Sequence, residues 1–274
     1  MTAAGRLLTV VLLAAAAGCA TTGSDPRDPW EGFNRGVYSF NQTFDDAIAR
    51  PVASTYQNAL HEEIRSRVRN FFSNIADPLI GVNNILQGKF EDGILDWVRF
   101  GFNTTLGLLG IHDVASDMGI EKHNEDFGQT FGRWGAGPGP YIVLPILGSS
   151  SVRDGVGTAL DLYTDPLTEV QPGLLRTSMV VLRATQYRAD LLDASRLLEE
   201  AALDRYVFQR DAYFQRRRSL IYDGQPPREN GGPDGGSYVP PVNAPDSERV
   251  SNVYAPRLPR NYEAVLAASN VAAR

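Results

Sequence analysis

Residues 127–148, FGQTFGRWGAGPGPYIVLPILG, constrain the fold more than any other stretch of this chain. Gly135, Gly137 and Gly139 stand at alternate positions, with Pro138 and Pro140 interleaved. Glycine permits positive φ and close backbone approach, whereas proline fixes φ and removes a donor. Neither a regular helix nor a central strand tolerates that mixture. Yet residues 141–147 are as apolar as a protein core. Two readings follow: a buried loop packed by its own aromatics, or irregular backbone lining a passage. At membrane depth such backbone needs protein or a watery cavity to cover it.

The N-terminus reads as an address. Arg6 precedes the apolar run Leu7–Leu13 and a series of alanines, the layout of a secretory signal over residues 1–18. The run is too short to span a bilayer, which takes about 20 residues. Ala16-Ala17-Gly18-Cys19 resembles the lipobox of bacterial lipoproteins, with Ala16 where leucine is usual. Cys19 is the one cysteine, so it has no disulfide partner and no cysteine cluster for a metal. As a lipid anchor it would carry several acyl chains, each buried CH2 contributing about 0.8 kcal/mol. Ala20 follows, where an aspartate would favour retention in the inner membrane. The expected location is the outer membrane, lipid-anchored on its periplasmic side, with residues 19–27 as anchor and linker.

The 274 residues suit one large domain or two small ones. A formal net charge of −6 argues against a nucleic-acid partner. No apolar stretch of about 20 residues follows Cys19, so no conventional transmembrane helix is expected.

Helical periodicity dominates the chain, and β-branched alternation is scarce. The fold class expected is all-α. Asp28-Pro29-Trp30-Glu31 predicts a helix start, with Asp28 as N-cap, Pro29 in the first turn and Glu31 closing a capping box. Phe33, Val37, Phe40, Phe44 and Ile48 follow at helical spacing until Pro51 ends or kinks the helix. Residues 62–75 form a second amphipathic helix. Its Arg65, Arg67 and Arg69 lie off the apolar stripe, on a solvated face or against anionic headgroups. Asp77-Pro78 predicts a new short helix through Leu86, closed by Gly88. Residues 90–105 run into the apolar segment 106–111, which is a core element or an interfacial one. Residues 112–126 are polar and loop-like. Ser149-Ser150-Ser151 caps a helix carrying Val152, Val156 and Leu160, and Asp165-Pro166 offers another start. Residues 174–200 make one long helix or two stacked ones. Residues 203–218 form the last, whose Arg216-Arg217-Arg218 complements the helix dipole. From Asp223 the chain turns proline- and glycine-rich, and residues 223–274 read as a disordered tail. A weak helix over 262–273 is the one element expected there.

Catalytic and metal signatures are not found. His61, His112 and His123 have no metal-ligand spacing on a helix, and neither HExxH nor GxSxG occurs. The glycines of 132–139 lack the Lys-Ser/Thr of a phosphate-binding loop, and the two prolines supply no donors. Asp154 and Asp161, seven apart on one helix face, read as solvated surface. No enzyme activity and no cofactor is expected.

Several runs nonetheless resemble one family. They are residues 28–35 (DPWEGFNR), 50–53 (RPVA), 86–88 (LQG), Arg99-Phe100 with Asn103-Thr104, 113–115 (DVA), Phe127-Gly128, 139–141 (GPY) with Leu144-Pro145, Arg188-Ala189 with 191–193 (LLD), and 212–216 (AYFQR). In this order, after a lipobox, they resemble the VacJ/MlaA lipoproteins, the outer-membrane component of a phospholipid-transport system. The resemblance implies a ring-like single domain of amphipathic helices over residues 28–222, seated in the inner leaflet, with a polar channel. Phospholipids would leave the outer leaflet through it and pass to a soluble periplasmic carrier, which maintains lipid asymmetry. It implies a trimeric outer-membrane porin as partner. It also implies a glycine-rich hairpin beside the channel, carrying Gly135, Gly137 and Gly139, and channel control near Asn41. Gln42 stands where the family usually has phenylalanine. Leu106 falls in the segment that lines or supports the channel. A structural lipoprotein that scaffolds porins, or a lipid hydrolase, are the competing readings.

Overall fold

The computed structural model describes residues 25–201 and 203–227. The signal segment, Cys19 and the predicted helix over 262–273 lie outside the described residues. The described chain is all-α apart from one two-stranded hairpin. In chain order the elements are α1 (Glu31–Phe44), a π-helical segment (Asp45–Ala49), α2 (Arg50–Ala59), α3 (Glu62–Leu86), α4 (Phe90–Thr105), α5 (Val114–Asp117) and α6 (Phe127–Arg133). Then come β1 (Tyr141–Leu144), β2 (Gly148–Ser151), α7 (Val152–Thr164), a 3-10 turn (Pro166–Glu169), α8 (Gly173–Asp190), α9 (Leu192–Ala201) and α10 (Arg205–Ile221).

Local chemistry explains most boundaries. Ser151 caps α7 by accepting from Asp154 N, and Asp165 caps the 3-10 turn by accepting from Leu167 N. Asp204 caps α10, and Gly88, at φ +84°, closes α3. Three expectations are corrected. Asp28 does not cap α1: its side chain is fully buried and holds Asn34 and Tyr206 instead, so the helix begins at Glu31 without a side-chain cap. Pro51 does not end the first helix, because the π turn precedes it and places it at the start of α2, where no donor is required. Asp77-Pro78 starts nothing: α3 continues through Pro78 to Leu86. Lys122 braces that helix from outside, donating to the Ser73 carbonyl and pairing with the buried Asp77.

The glycine-rich stretch divides into three parts. Residues 127–133 are helix α6, 134–140 are an exposed turn and loop, and 141–151 are the hairpin. The glycines therefore precede the hairpin rather than form it. Tyr141 and Val143 are buried, while Ile146 and Leu147 stand exposed at its tip. The apolar segment thus both packs inward and projects outward.

α3 and α4 pack so closely that a Cβ on Gly93 would lie 2.8 Å from the Gly81 carbonyl. Among the described residues, two small clusters of buried apolar side chains stand out, with Phe72, Ile80, Ala115, Leu167 and Ile221 buried outside them. One joins Ala53, Ala189 and Leu192. The other joins Tyr141, Val143 and Tyr206, with Tyr213 and Phe214 packed against it. Elsewhere the usual arrangement is inverted. Among the described residues, 17 buried residues are polar or charged against 11 that are apolar, and 32 large apolar residues are exposed. Water-soluble domains bury their aliphatics and leave such groups outside only singly. No described helix is long and apolar enough to cross a membrane.

Candidate functional site: a charged cavity walled by a clamped hairpin

A cavity of about 550 Å³ opens between α3, α7, α8, α10 and the second hairpin strand. α3 gives it an apolar wall of Ile75, Leu79 and Ile80. α10 lines it with Tyr213, Arg217 and Leu220, half-buried, and with the exposed Arg216, positions that share one helix face. α7 faces them with Asp154, Thr158 and Asp161, and β2 contributes Ser149 and Ser150. The lining is therefore amphiphilic, with fixed charges set beside aliphatic side chains.

Arg217 is the centre of its polar side. The guanidinium reaches Asp126 at 2.6 Å and Asp154 at 2.9 Å, and Tyr213 also donates to Asp154. Burial alone would raise the Asp126 carboxyl, but Arg217 and the Gln129 N–H outweigh it and hold it below the usual range. Burial likewise works against the Arg217 charge, and the two carboxylates more than reverse that. Asp161 has no such partner. Burial and the nearby Asp126 push its carboxyl up to about 7, against one hydrogen bond from Phe127 N. Two expectations are thus overturned: Arg217 is not a dipole cap on the surface, and Asp154 is buried and Asp161 half-buried rather than on a solvated face.

The hairpin that walls this cavity is held by side-chain amides. Asn34 on α1 donates to the Tyr141 carbonyl at 3.0 Å and accepts from Val143 N at 2.9 Å. Asn41, two turns later, donates to the Leu144 carbonyl at 2.9 Å and accepts from Ile146 N at 2.8 Å. Each amide supplies one donor and one acceptor, as a strand neighbour would. Ser149 of β2 is then bonded to Tyr141 Oη across the hairpin and accepts from Gln209 of α10.

The residues singled out from sequence fall into separate places. Asn41 grips the hairpin near its tip, and Gln42 is half-buried beside it. Gly135, Gly137 and Gly139 lie in the exposed loop leading to the base of β1. Gly135 (φ +93°) and Gly139 (φ +67°) adopt a backbone that only glycine takes easily. Leu106 sits just past α4 and is 62% exposed, beside the equally exposed Leu108 and Leu109. Cys19 is outside the described residues. Asn34, Arg217 and Asp161 were missed as site residues. The signal for Asn34 was its seven-residue spacing from Asn41, which puts both amides on one helix face.

Residues 26–220 match the family model of the MlaA lipoprotein. The chain is 37% identical over 222 residues to the intermembrane phospholipid transport system lipoprotein MlaA of Shigella flexneri, covering 78% of this chain and 87% of that protein. It is 36% identical over 221 residues to its Escherichia coli counterpart, with the same coverage. A solved structure, described as a structural basis for the maintenance of bacterial outer membrane lipid asymmetry, aligns with a TM-score of 0.63 at 35% identity. That alignment covers 71% of this chain and 98% of the other. The match spans the cavity, the hairpin and the clamping asparagines alike, and the chain belongs to the MlaA lipoprotein family.

Proposed function

We propose that this protein moves phospholipids out of the outer leaflet of the outer membrane through its cavity and hands them to a soluble periplasmic carrier. The relatives named above are phospholipid-transport lipoproteins, and the solved neighbour concerns outer-membrane lipid asymmetry. The observation that carries the reading is the inverted distribution of polarity: apolar side chains outside, charges and amides inside, around an amphiphilic cavity. A lipid has a charged head and two apolar tails. Dragging the head through hydrocarbon is costly because charge burial is costly. A disc with a greasy rim and a polar interior lets the head pass through a hydrated space while the tails stay in lipid. Short amphipathic helices lying in one leaflet can build such a disc.

In this reading residues 28–222 form the lipid-handling ring, and residues 1–18 are removed so that a lipidated Cys19 anchors it in the inner leaflet. A trimeric porin holds it in place. Asn41 and its neighbour Gln42 set the position of the hairpin, the glycine loop at its base lets the hairpin move, and Leu106 meets lipid at the rim. The chemistry is transfer, so the lipid leaves unchanged. Cys19→Ala should leave phospholipid in the outer leaflet of cells, read by labelling surface-exposed headgroups. Intact asymmetry in that strain would refute the anchored-transporter reading. Crosslinking in the membrane should capture a porin. Radiolabelled phospholipid incubated with the pure protein should be recovered intact, and release of a fatty acid or headgroup would favour a hydrolase.

A further inference from the structure

The charges lining the cavity nearly all cancel. Glu125 is paired with Lys89 at 2.9 Å, Asp165 with Arg183 at 2.5 Å, Asp126 with Arg217, and Asp154 with both Arg217 and Arg153. Two groups are left over among the described residues lining it. Arg216 has no carboxylate partner, and Asp161 has no cation within ion-pair distance. They flank the same node. Arg216 is the chain neighbour of Arg217, while Asp161 lies two turns along α7 from Asp154, the carboxylate that Arg217 grips. A transport cavity that must release its cargo has no structural need for either charge. Asp161 is half-buried, where a carboxylate without a cation is costly unless a ligand supplies one, whereas Arg216 lines the cavity but is exposed, where an entering headgroup can reach it.

Resting on the transport reading above, we infer that Arg216 and Asp161 together read a zwitterionic aminophospholipid headgroup, Arg216 taking the phosphate and Asp161 the ammonium. A guanidinium forks onto phosphate oxygens. A half-buried carboxylate suits an ammonium, and the arriving cation draws Asp161 into its charged form. The aliphatic wall of α3 lies alongside for the glycerol and the first methylenes of the chains. An anionic lipid with a glycerol headgroup engages Arg216 but finds no use for Asp161. The cavity therefore prefers the ethanolamine lipid.

The test uses the full lipidated chain, captured by affinity from detergent micelles holding equimolar phosphatidylethanolamine and phosphatidylglycerol, with co-eluting lipids quantified by mass spectrometry. The wild type should be enriched in phosphatidylethanolamine. Asp161→Asn should return the ratio to that of the input while keeping phosphatidylglycerol retention unchanged. Arg216→Gln should lower retention of both lipids several-fold, and Arg216→Lys should restore much of it. Circular dichroism identifies any variant that has lost its fold. If wild type and Asp161→Asn give the same ratio, Asp161 does not read the headgroup. If Arg216→Gln retains as much lipid as wild type, Arg216 does not hold the phosphate. Either result leaves transport standing. Wild type that retains no phospholipid overturns this inference and the transport reading together.

Discussion

Asn34 and Asn41 make the side of α1 into a surrogate strand, and this is where single residues matter most. Four backbone groups of residues 141–146 are satisfied by two side-chain amides. Asn41→Ala leaves the Leu144 carbonyl and the Ile146 N–H without these partners, at a cost of about 0.5–1.5 kcal/mol per bond because water reaches the exposed tip. The Ile146 amide should then exchange with deuterium about tenfold faster or more; unchanged protection would mean that the clamp does not hold the tip. Asp161 makes a different demand. Its folded-state pKa is raised to about 7, above the 3.8 of an ordinary aspartate, by burial first and by Asp126 second. The folded protein thus binds the extra proton between those values, and stability falls as pH rises from about 4 to 7, then levels off. Asp161→Asn removes that dependence. Its Tm should match wild type near pH 4 and exceed it above pH 7, and equal Tm values at pH 8 would contradict the burial argument. At this scale the sequence disclosed residue types but not partners. Arg217 sits in a run of three arginines that looks like a basic cap. Only folding brings Asp126 and Asp154, 91 and 63 residues away, onto it.

Elements followed local rules wherever no distant group interfered. The bounds of α4 match the predicted helix, and the caps at Ser151 and Asp165 work as expected. The misreadings cluster at Asp-Pro pairs. Asp28 is drawn into the core by Asn34 and Tyr206, and Asp77 by Lys122, so neither side chain is free to cap. The helix dislikes Pro78 by about 3 kcal/mol, yet packing of α3 along α4 carries it through. That packing depends on missing side chains. A Cβ on Gly93 would meet Ile85 Cγ1 at 2.6 Å and the Gly81 carbonyl at 2.8 Å, whereas one on Gly101 of the same helix meets nothing within 4 Å. Gly93→Ala should destabilise by about 1–3 kcal/mol through forced separation of the helices. Gly101→Ala should stabilise by up to about 1 kcal/mol through helix propensity. Thermal unfolding of the two variants side by side checks this, and similar shifts for both would refute the close crossing.

For the whole molecule, the exposed surface carries the consequence. All three tryptophans, Trp30, Trp97 and Trp134, are at least 41% exposed. Together with the exposed Leu106, Leu108 and Leu109 they suit a lipid interface, where tryptophan is favoured. Tryptophan emission should shift to the blue when phospholipid vesicles are added, and brominated acyl chains should quench it. Emission indifferent to vesicles would mean that the apolar surface is covered by something other than lipid. By itself the sequence determined the helical class, the element spacing and the family, because these depend on periodicity, short-range caps and ordered runs of residues. It did not say which face of each amphipathic helix turns outward. An amphipathic stripe looks the same whether its apolar side meets a core or a bilayer. Tertiary structure decided that, by gathering amides, aspartates and arginines from distant elements into the interior, where they satisfy one another and leave the aliphatic side chains outside.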